Sequence, residues 1–241
     1  MPIDGQLSFD IDELIREDLR ANAPEWQGAP LYFTTDYYSP SELDAAFQHW
    51  KVLYGNFGCI PLSHMWHRGF SGISDRLTFQ EHSIAMFTAD LRAEPEAEGP
   101  GDLIYQAVCE PCDWHHVSGT ENGAVEGWHD HAVPGWRELP VIPAQVRVRE
   151  QSSLTKLGRR WIEAHYPPEM QVPGAPMITE RARYATRHVA GHSPWGGYDL
   201  SSTALGQPAS DDNAVARSSP KLLSAPTGQP AVSPGAQVLR R

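Results

Sequence analysis

Apolar residues recur at helical spacing in several stretches of this chain and cluster into short runs in others. Over Asp10–Ala21, the residues Ile11, Leu14, Ile15 and Leu19 share one stripe, which predicts a short helix. A second helix is marked at both ends. Ser39-Pro40-Ser41-Glu42 supplies an N-cap, a first-turn proline and a capping-box glutamate, and Gly55 stops it. Its apolar face is Leu43, Phe47, Trp50 and Tyr54. Leu154–His165, set between Ser152-Ser153 and Pro167-Pro168, reads as a third helix with Leu154, Leu157 and Trp161 inward. Thr179–Ala190 reads as the last, ending at Gly191. Leu31–Phe33, Ile84–Phe87 and Leu103–Val108 read as strands. Strands and helices do not alternate regularly, so the expected class is α+β, a small mixed domain.

Composition changes that picture at the C-terminal end. The 241 residues include 21 prolines and 20 glycines, more than a packed domain needs. Ser, Pro, Ala and Gly dominate from Ser193 onward, where large apolar side chains are too sparse to offset chain entropy. The expected organisation is therefore an N-terminal helical arm (1–27), an α+β domain (28–200) and a disordered tail (201–241). Ser193-Pro194-Trp195-Gly196-Gly197-Tyr198 is an exception within this stretch, because its two aromatics suit a turn that docks back on the domain.

No run approaches the roughly 18–20 apolar residues of a membrane span, and Met1-Pro2-Ile3-Asp4 does not open a signal peptide. Three cysteines, Cys59, Cys109 and Cys112, form no disulfide framework, and a close pair suggests metal or redox chemistry in a reducing, cytoplasmic setting. The formal net charge is −11. It is uneven: residues 1–143 sum to −16 and residues 144–192 to +4. A basic segment in an acidic chain suits an anionic partner or an internal counter-surface.

The most informative stretch runs from Leu103 to Pro140. Cys109-Glu110-Pro111-Cys112 has the two-residue gap that lets two thiolates reach one tetrahedral metal, and His129-Asp130-His131 follows. Two sulfurs and two imidazoles suit a closed structural Zn2+ site. A strand into Cys109, a short strand over Asp113–Val117 and a helix from Glu121 would make residues 103–135 a zinc-finger-like ββα unit. Ala124, Val125 and Trp128 would face inward. On a regular helix, residues i and i+2 point about 200° apart, so His129 and His131 cannot both ligate from one. The helix must then end at His129, with His131 in the following turn, or His115 or His116 must replace one of them. Pro134-Gly135 favours early termination, and the expected ligands are Cys109, Cys112, His129 and His131. A redox pair or two inert buried thiols are the plainer alternatives.

Other patterns carry less. Cys59, His64 and His67, with His49 or His82, could make a second metal site, although a structural turn explains Ser63–His67 as well. Asp130-His131-Ala132-Val133-Pro134 resembles the start of an HNH nuclease turn but lacks the following Asn, since the next is Asn213. Gln6-Leu7-Ser8-Phe9-Asp10 partly resembles a sliding-clamp peptide. Lys156, Arg159 and Arg160 on the third helix, with Arg183 and Arg187 on the last, would form basic faces able to hold the phosphates of DNA or RNA. There is no nucleophile elbow, phosphate loop or dinucleotide fingerprint.

The segments Tyr54-Gly55-Asn56-Phe57-Gly58, Ser63-His64-Met65-Trp66-His67, Cys109-x-x-Cys112-Asp113-Trp114, His129-Asp130-His131-Ala132 and Pro134-Gly135-Trp136-Arg137 together resemble an actinobacterial family of unknown function. That family is carried on chromosomes, plasmids and phages. The resemblance spans residues 28–200 and implies a bacterial cytoplasmic setting, with no activity attached. The reading favoured by the residues is a non-enzymatic, zinc-stabilised accessory protein that contacts nucleic acid. A metal-dependent HNH-like nuclease, or an adaptor for a protein partner, is the alternative.

Overall fold

A computed structural model describes residues 11–23, 25–54, 63–68, 77–91, 103–146, 148–150 and 153–206. Its centre is a three-stranded antiparallel sheet of β3 (Ala85–Asp90), β4 (Leu103–Cys109) and β5 (Trp114–Ser118), in the order β3-β4-β5. Phe87 pairs with Gln106, and Gln106 with Val117, which fixes the register. Both faces of the sheet are covered. Ala85, Phe87, Ala89, Val108 and Val117 pack against α2 (Pro40–Tyr54) through Leu43, Ala46 and Phe47. Met86, Ala107 and Cys109 pack on α3 (Glu121–Ala132) through Ala124, Val125 and Trp128. Burying both faces explains why β3 and β4 read as near-continuous apolar runs with no polar alternation.

The local signals act as expected at α2. The Ser39 backbone N–H donates to Glu42 Oε2 (2.8 Å), and the Glu42 N–H donates to Ser39 Oγ (3.3 Å), which closes the capping box. Leu43 and Phe47 are buried, whereas Tyr54 is half exposed under the guanidinium of Arg20. That arginine comes from α1 (Ile11–Asn22), which packs against α2. On α3, Thr120 Oγ1 accepts from the Gly123 N–H (3.0 Å) as N-cap. Gly127 is required on this helix, because an added Cβ would overlap the His116 ring.

Around this core sit two small hairpins, β1 (Thr78–Phe79) with β2 (His82–Ser83) and β6 (Arg149–Glu150) with β7 (Ser153–Leu154). After them in the chain come α4 (Lys156–His165) and a parallel pair, β8 (Met177–Thr179) and β9 (Asp199–Ser201). The 193–198 turn docks back as its aromatics suggested: Tyr198 is fully buried, and Ser193 Oγ donates to Ala175 O (2.5 Å).

Four expectations change. Leu31–Phe33 forms no strand. The segment expected as a helix over Thr179–Ala190 is irregular. Its backbone is committed sideways: Glu180 N–H donates to Ile142 O, and Val189 exchanges hydrogen bonds with Asp199, so no i→i−4 ladder is available. On α4, the buried positions are Gly158 and Ile162, while Leu157 is 60% exposed. Residues 201–206, expected as part of a disordered tail, are instead held in the fold: Ser201 is fully buried in β9 and Gly206 N–H donates to Glu126. Residues 207–241 lie outside the described residues.

Candidate metal centre

Four side chains converge at one end of the sheet. Donor atoms of His82, Cys109, Cys112 and His131 all lie within 4.8 Å of one another. Three elements deliver them. Cys109 is the last residue of β4. A 3-10 turn over Glu110–Cys112, with Pro111 inside it, brings Cys112 back toward the sheet. Asp113 then takes the left-handed conformation (φ 49°), which aspartate tolerates better than most residues, and the chain reverses into β5. His131 is the penultimate residue of α3. His82 arrives on the β1–β2 hairpin, whose two-residue turn places Gln80 at φ 52°. Trp128 Nε1–H donates to Ser83 O (2.9 Å), tying that hairpin to α3 one turn before His131.

The spacing suits a metal. His82 Nδ1 is 3.7 Å from Cys109 Sγ and 3.3 Å from Cys112 Sγ. Two donors bound tetrahedrally, at about 2.3 Å for sulfur and 2.0–2.1 Å for nitrogen, sit roughly 3.5 Å apart. The His131 ring stacks on Trp114 (centroids 4.5 Å, planes 4° apart) and meets His82 edge-on (4.9 Å, 87°). Its Nε2 is buried with no hydrogen-bond partner among the described residues. Burial, then proximity to His82, lowers the His131 pKa, so its ring is held neutral as a ligand must be. Burial foremost, with Cys112 adding to it, raises the Cys109 pKa. Without a cation that sulfur is a thiol, and a divalent ion would displace its proton. The centre is therefore a two-cysteine, two-histidine cluster that can hold a metal ion.

Three of the four expected ligands, Cys109, Cys112 and His131, are in this cluster, and His82 stands where His129 was expected. The helix does not stop at His129; it runs to Ala132, so His129 and His131 diverge as the i, i+2 geometry requires. His129 is fully buried, donates from Nδ1 to Val125 O (2.7 Å) and packs among Trp128, Trp136 and Tyr198. Burial drives its pKa down to about 3. His115 and His116 are also elsewhere: His115 Nε2 lies 3.0 Å from Thr35 O, and His116 packs over Gly127. Replacing His82 or His131 with Ala should weaken metal affinity at least about 100-fold, because loss of an outer partner of a ligand alone costs 10–100-fold. His129→Phe should keep one metal per chain. Competition titration with a chromogenic chelator measures both.

The other constellations separate. His64 Nδ1 is 2.8 Å from Asp90 O, and His67 stacks on Phe47 (5.1 Å), so neither joins His82. Cys59 and the Gln6–Asp10 peptide lie outside the described residues. The Asp130 carboxylate accepts from Arg137 Nε and Nη2 (2.8 and 3.0 Å) and from Trp136 Nε1 (2.8 Å), an arrangement that fixes the chain after α3. Among the basic residues, Lys156, Arg159 and Arg160 are exposed on α4. Arg183 is exposed on the irregular segment, and Arg187 pairs with Glu121 (2.8 Å), so these two do not share a helical face.

A second buried polar cluster was not evident from the sequence. Glu126, 3% exposed on α3, accepts from His188 Nε2 (3.0 Å), Arg137 Nη1 (3.1 Å) and the Gly206 N–H. Ser201 N–H donates to His188 Nδ1 (3.0 Å), which assigns the ring proton to Nε2. A glutamate on the inner face of a helix otherwise lined by Ala, Val and Trp was the available signal.

The fold and site together define an α+β domain built around a two-cysteine, two-histidine cluster that could hold a metal ion. The chain belongs to DUF6349, a family of unknown function whose model matches residues 28–210. No curated protein and no solved structure matches the chain. Among the described residues, no helix is long and apolar enough to cross a membrane.

Proposed function

We propose that this chain is a non-enzymatic accessory protein whose domain is closed by one structural Zn2+, held by Cys109, Cys112, His82 and His131. The observation that carries the reading is the convergence of two sulfur and two nitrogen donors from a hairpin, a knuckle and a helix end. Zinc prefers such mixed soft and imidazole sets, and four protein ligands leave no position open for water or substrate. A catalytic zinc would keep one open, and for that reason the nuclease reading ranks lower. A reducing bacterial cytoplasm, where the thiols stay free for metal, fits the same chemistry. X-ray absorption on the purified protein tests it: two sulfur and two nitrogen neighbours support the closed site, and an oxygen neighbour replacing one of them sinks it.

Lys156, Arg159 and Arg160 add a nucleic-acid contact to this reading. All three are exposed on one α4, and none forms an ion pair among the described residues. Three phosphate contacts on duplex DNA should give a log–log salt slope near −2.7, at about −0.9 per contact. Reversing all three charges should abolish binding with zinc content unchanged. No retardation of DNA or RNA at ~50 mM salt, where such contacts are strongest, would leave a protein partner as the better reading.

A further inference from the structure

The two sulfurs of the cluster differ in access. Cys109 is fully buried at the end of β4, whereas Cys112 is exposed on the turn that follows. Their donor atoms are within 4.8 Å of each other, and a two-residue gap is short enough for a direct disulfide. The geometry points to Cys112 as a modification site: the sulfur at which a peroxide oxidises this centre, with Cys109 as the resolving thiol and release of the metal as the result. This rests on the zinc reading above.

The chemistry balances with hydrogen peroxide as the oxidant. A zinc-bound sulfur is held as thiolate, the form that attacks peroxides, and oxidation follows thiolate character and exposure together. The Cys112 thiolate attacks one peroxide oxygen. An S–O bond forms, the O–O bond breaks and hydroxide leaves, so Cys112 becomes a sulfenic acid. The Cys109 thiolate then attacks the Cys112 sulfur; the S–S bond forms, the S–O bond breaks and a second hydroxide leaves. The two thiolates have given up two electrons, the peroxide has accepted them, and both hydroxides take protons from solvent to become water. Zn2+ keeps its oxidation state but loses both sulfur ligands. Two histidines remain, too few for a closed site. His82 and His131 are then no longer joined through the metal, and the β1–β2 hairpin is held to α3 by contacts such as Trp128 Nε1–Ser83 O.

The test uses the full chain as purified, with its zinc measured first. Hydrogen peroxide is added in sub-stoichiometric steps, released zinc is read with a chromogenic chelator, and the oxidised sites are mapped by mass spectrometry. The expected result is one zinc per peroxide consumed, a loss of two hydrogens in mass and a Cys109–Cys112 link reversed by dithiothreitol. A short peroxide pulse with dimedone should label Cys112 over Cys109 by about tenfold or more. Cys59→Ser, which keeps all four proposed ligands, should give the same zinc-to-peroxide ratio and the same first label on Cys112. First labelling at Cys109, a link through Cys59, or zinc retained under excess peroxide overturns the inference while leaving the zinc site standing. A chain that purifies without zinc overturns both.

Discussion

Cys109→Ser is expected to remove stoichiometric metal binding and to lower the melting temperature by about 8–16 °C, the change that roughly 4 kcal/mol produces in a domain of this size. The estimate is conservative, because structural zinc contributes about 10–16 kcal/mol in isolated finger peptides. Here much of the fold is held by the two hydrophobic clusters instead. A metal held by this cluster would tie together three elements, a hairpin, a knuckle and a helix end. Of these, the Glu110–Cys112 turn buries no residue and the short β1–β2 hairpin is anchored in the core by Phe79, so a chelator should loosen residues 77–83 and 109–113 before the rest. Acid should act in the same direction. The raised Cys109 pKa means that the metal-free fold binds its thiol proton at least as well as the unfolded chain does. The metal-bound fold has lost that proton. Stability of the loaded protein must then rise with pH wherever the unfolded chain keeps the proton, and fall as pH drops and protons displace the metal. Each displaced thiol proton should add about one log unit of metal affinity per pH unit. Thermal melts with and without added zinc between pH 5.5 and 8 check the sign; a loaded protein that melts higher in acid would contradict it.

Much of the central unit was legible because its signals are local. The strand into Cys109, the knuckle, the helix from Glu121 and the inward Ala124, Val125 and Trp128 each depend on residues within a few positions of one another. His82 was considered only for a second site with Cys59, His64 and His67 and not as a partner of Cys109, because it lies 27 residues before Cys109 and reaches it only through tertiary packing. Sequence spacing records nothing about that step. The 200° divergence of His129 and His131 did exclude one of them from a continuous helix, and it left the identity of the replacement open. The basic segment misled for a related reason. Its arginines have helical spacing, but Arg181 pairs with Asp199 and Arg187 with Glu121, so charges that are segregated along the chain are partly matched in space. Among the described residues, the exposed basic face survives folding on α4.

That same matching gives Glu126→Ala a large expected effect although Glu126 is not among the four clustered side chains. Glu126 is 3% exposed, and its carboxylate is the meeting point of three chain segments: Arg137 after α3, His188 on the irregular segment and Gly206 beyond β9. Removing it leaves the Gly206 N–H and the His188 Nε2–H without that acceptor and takes one carboxylate from Arg137, which keeps Asp130 and the Gly206 carbonyl as partners. Breaking a buried charge pair on one side costs about 3–5 kcal/mol, which corresponds to a melting temperature lower by roughly 6–20 °C. Glu126→Gln should cost less, because its amide oxygen still accepts from His188 while the charge facing Arg137 is lost. Metal content should be unchanged in both variants, since His131 is placed by the end of α3 and by its stack on Trp114. Hydrogen exchange should show the damage where Glu126 holds the chain, at residues 185–189 and 199–206, with the β4–β5 knuckle still protected. A Glu126→Ala protein that melts within a degree or two of the unmodified chain would mean that the aromatic packing around Trp136 and Tyr198 holds the C-terminal strand without the carboxylate.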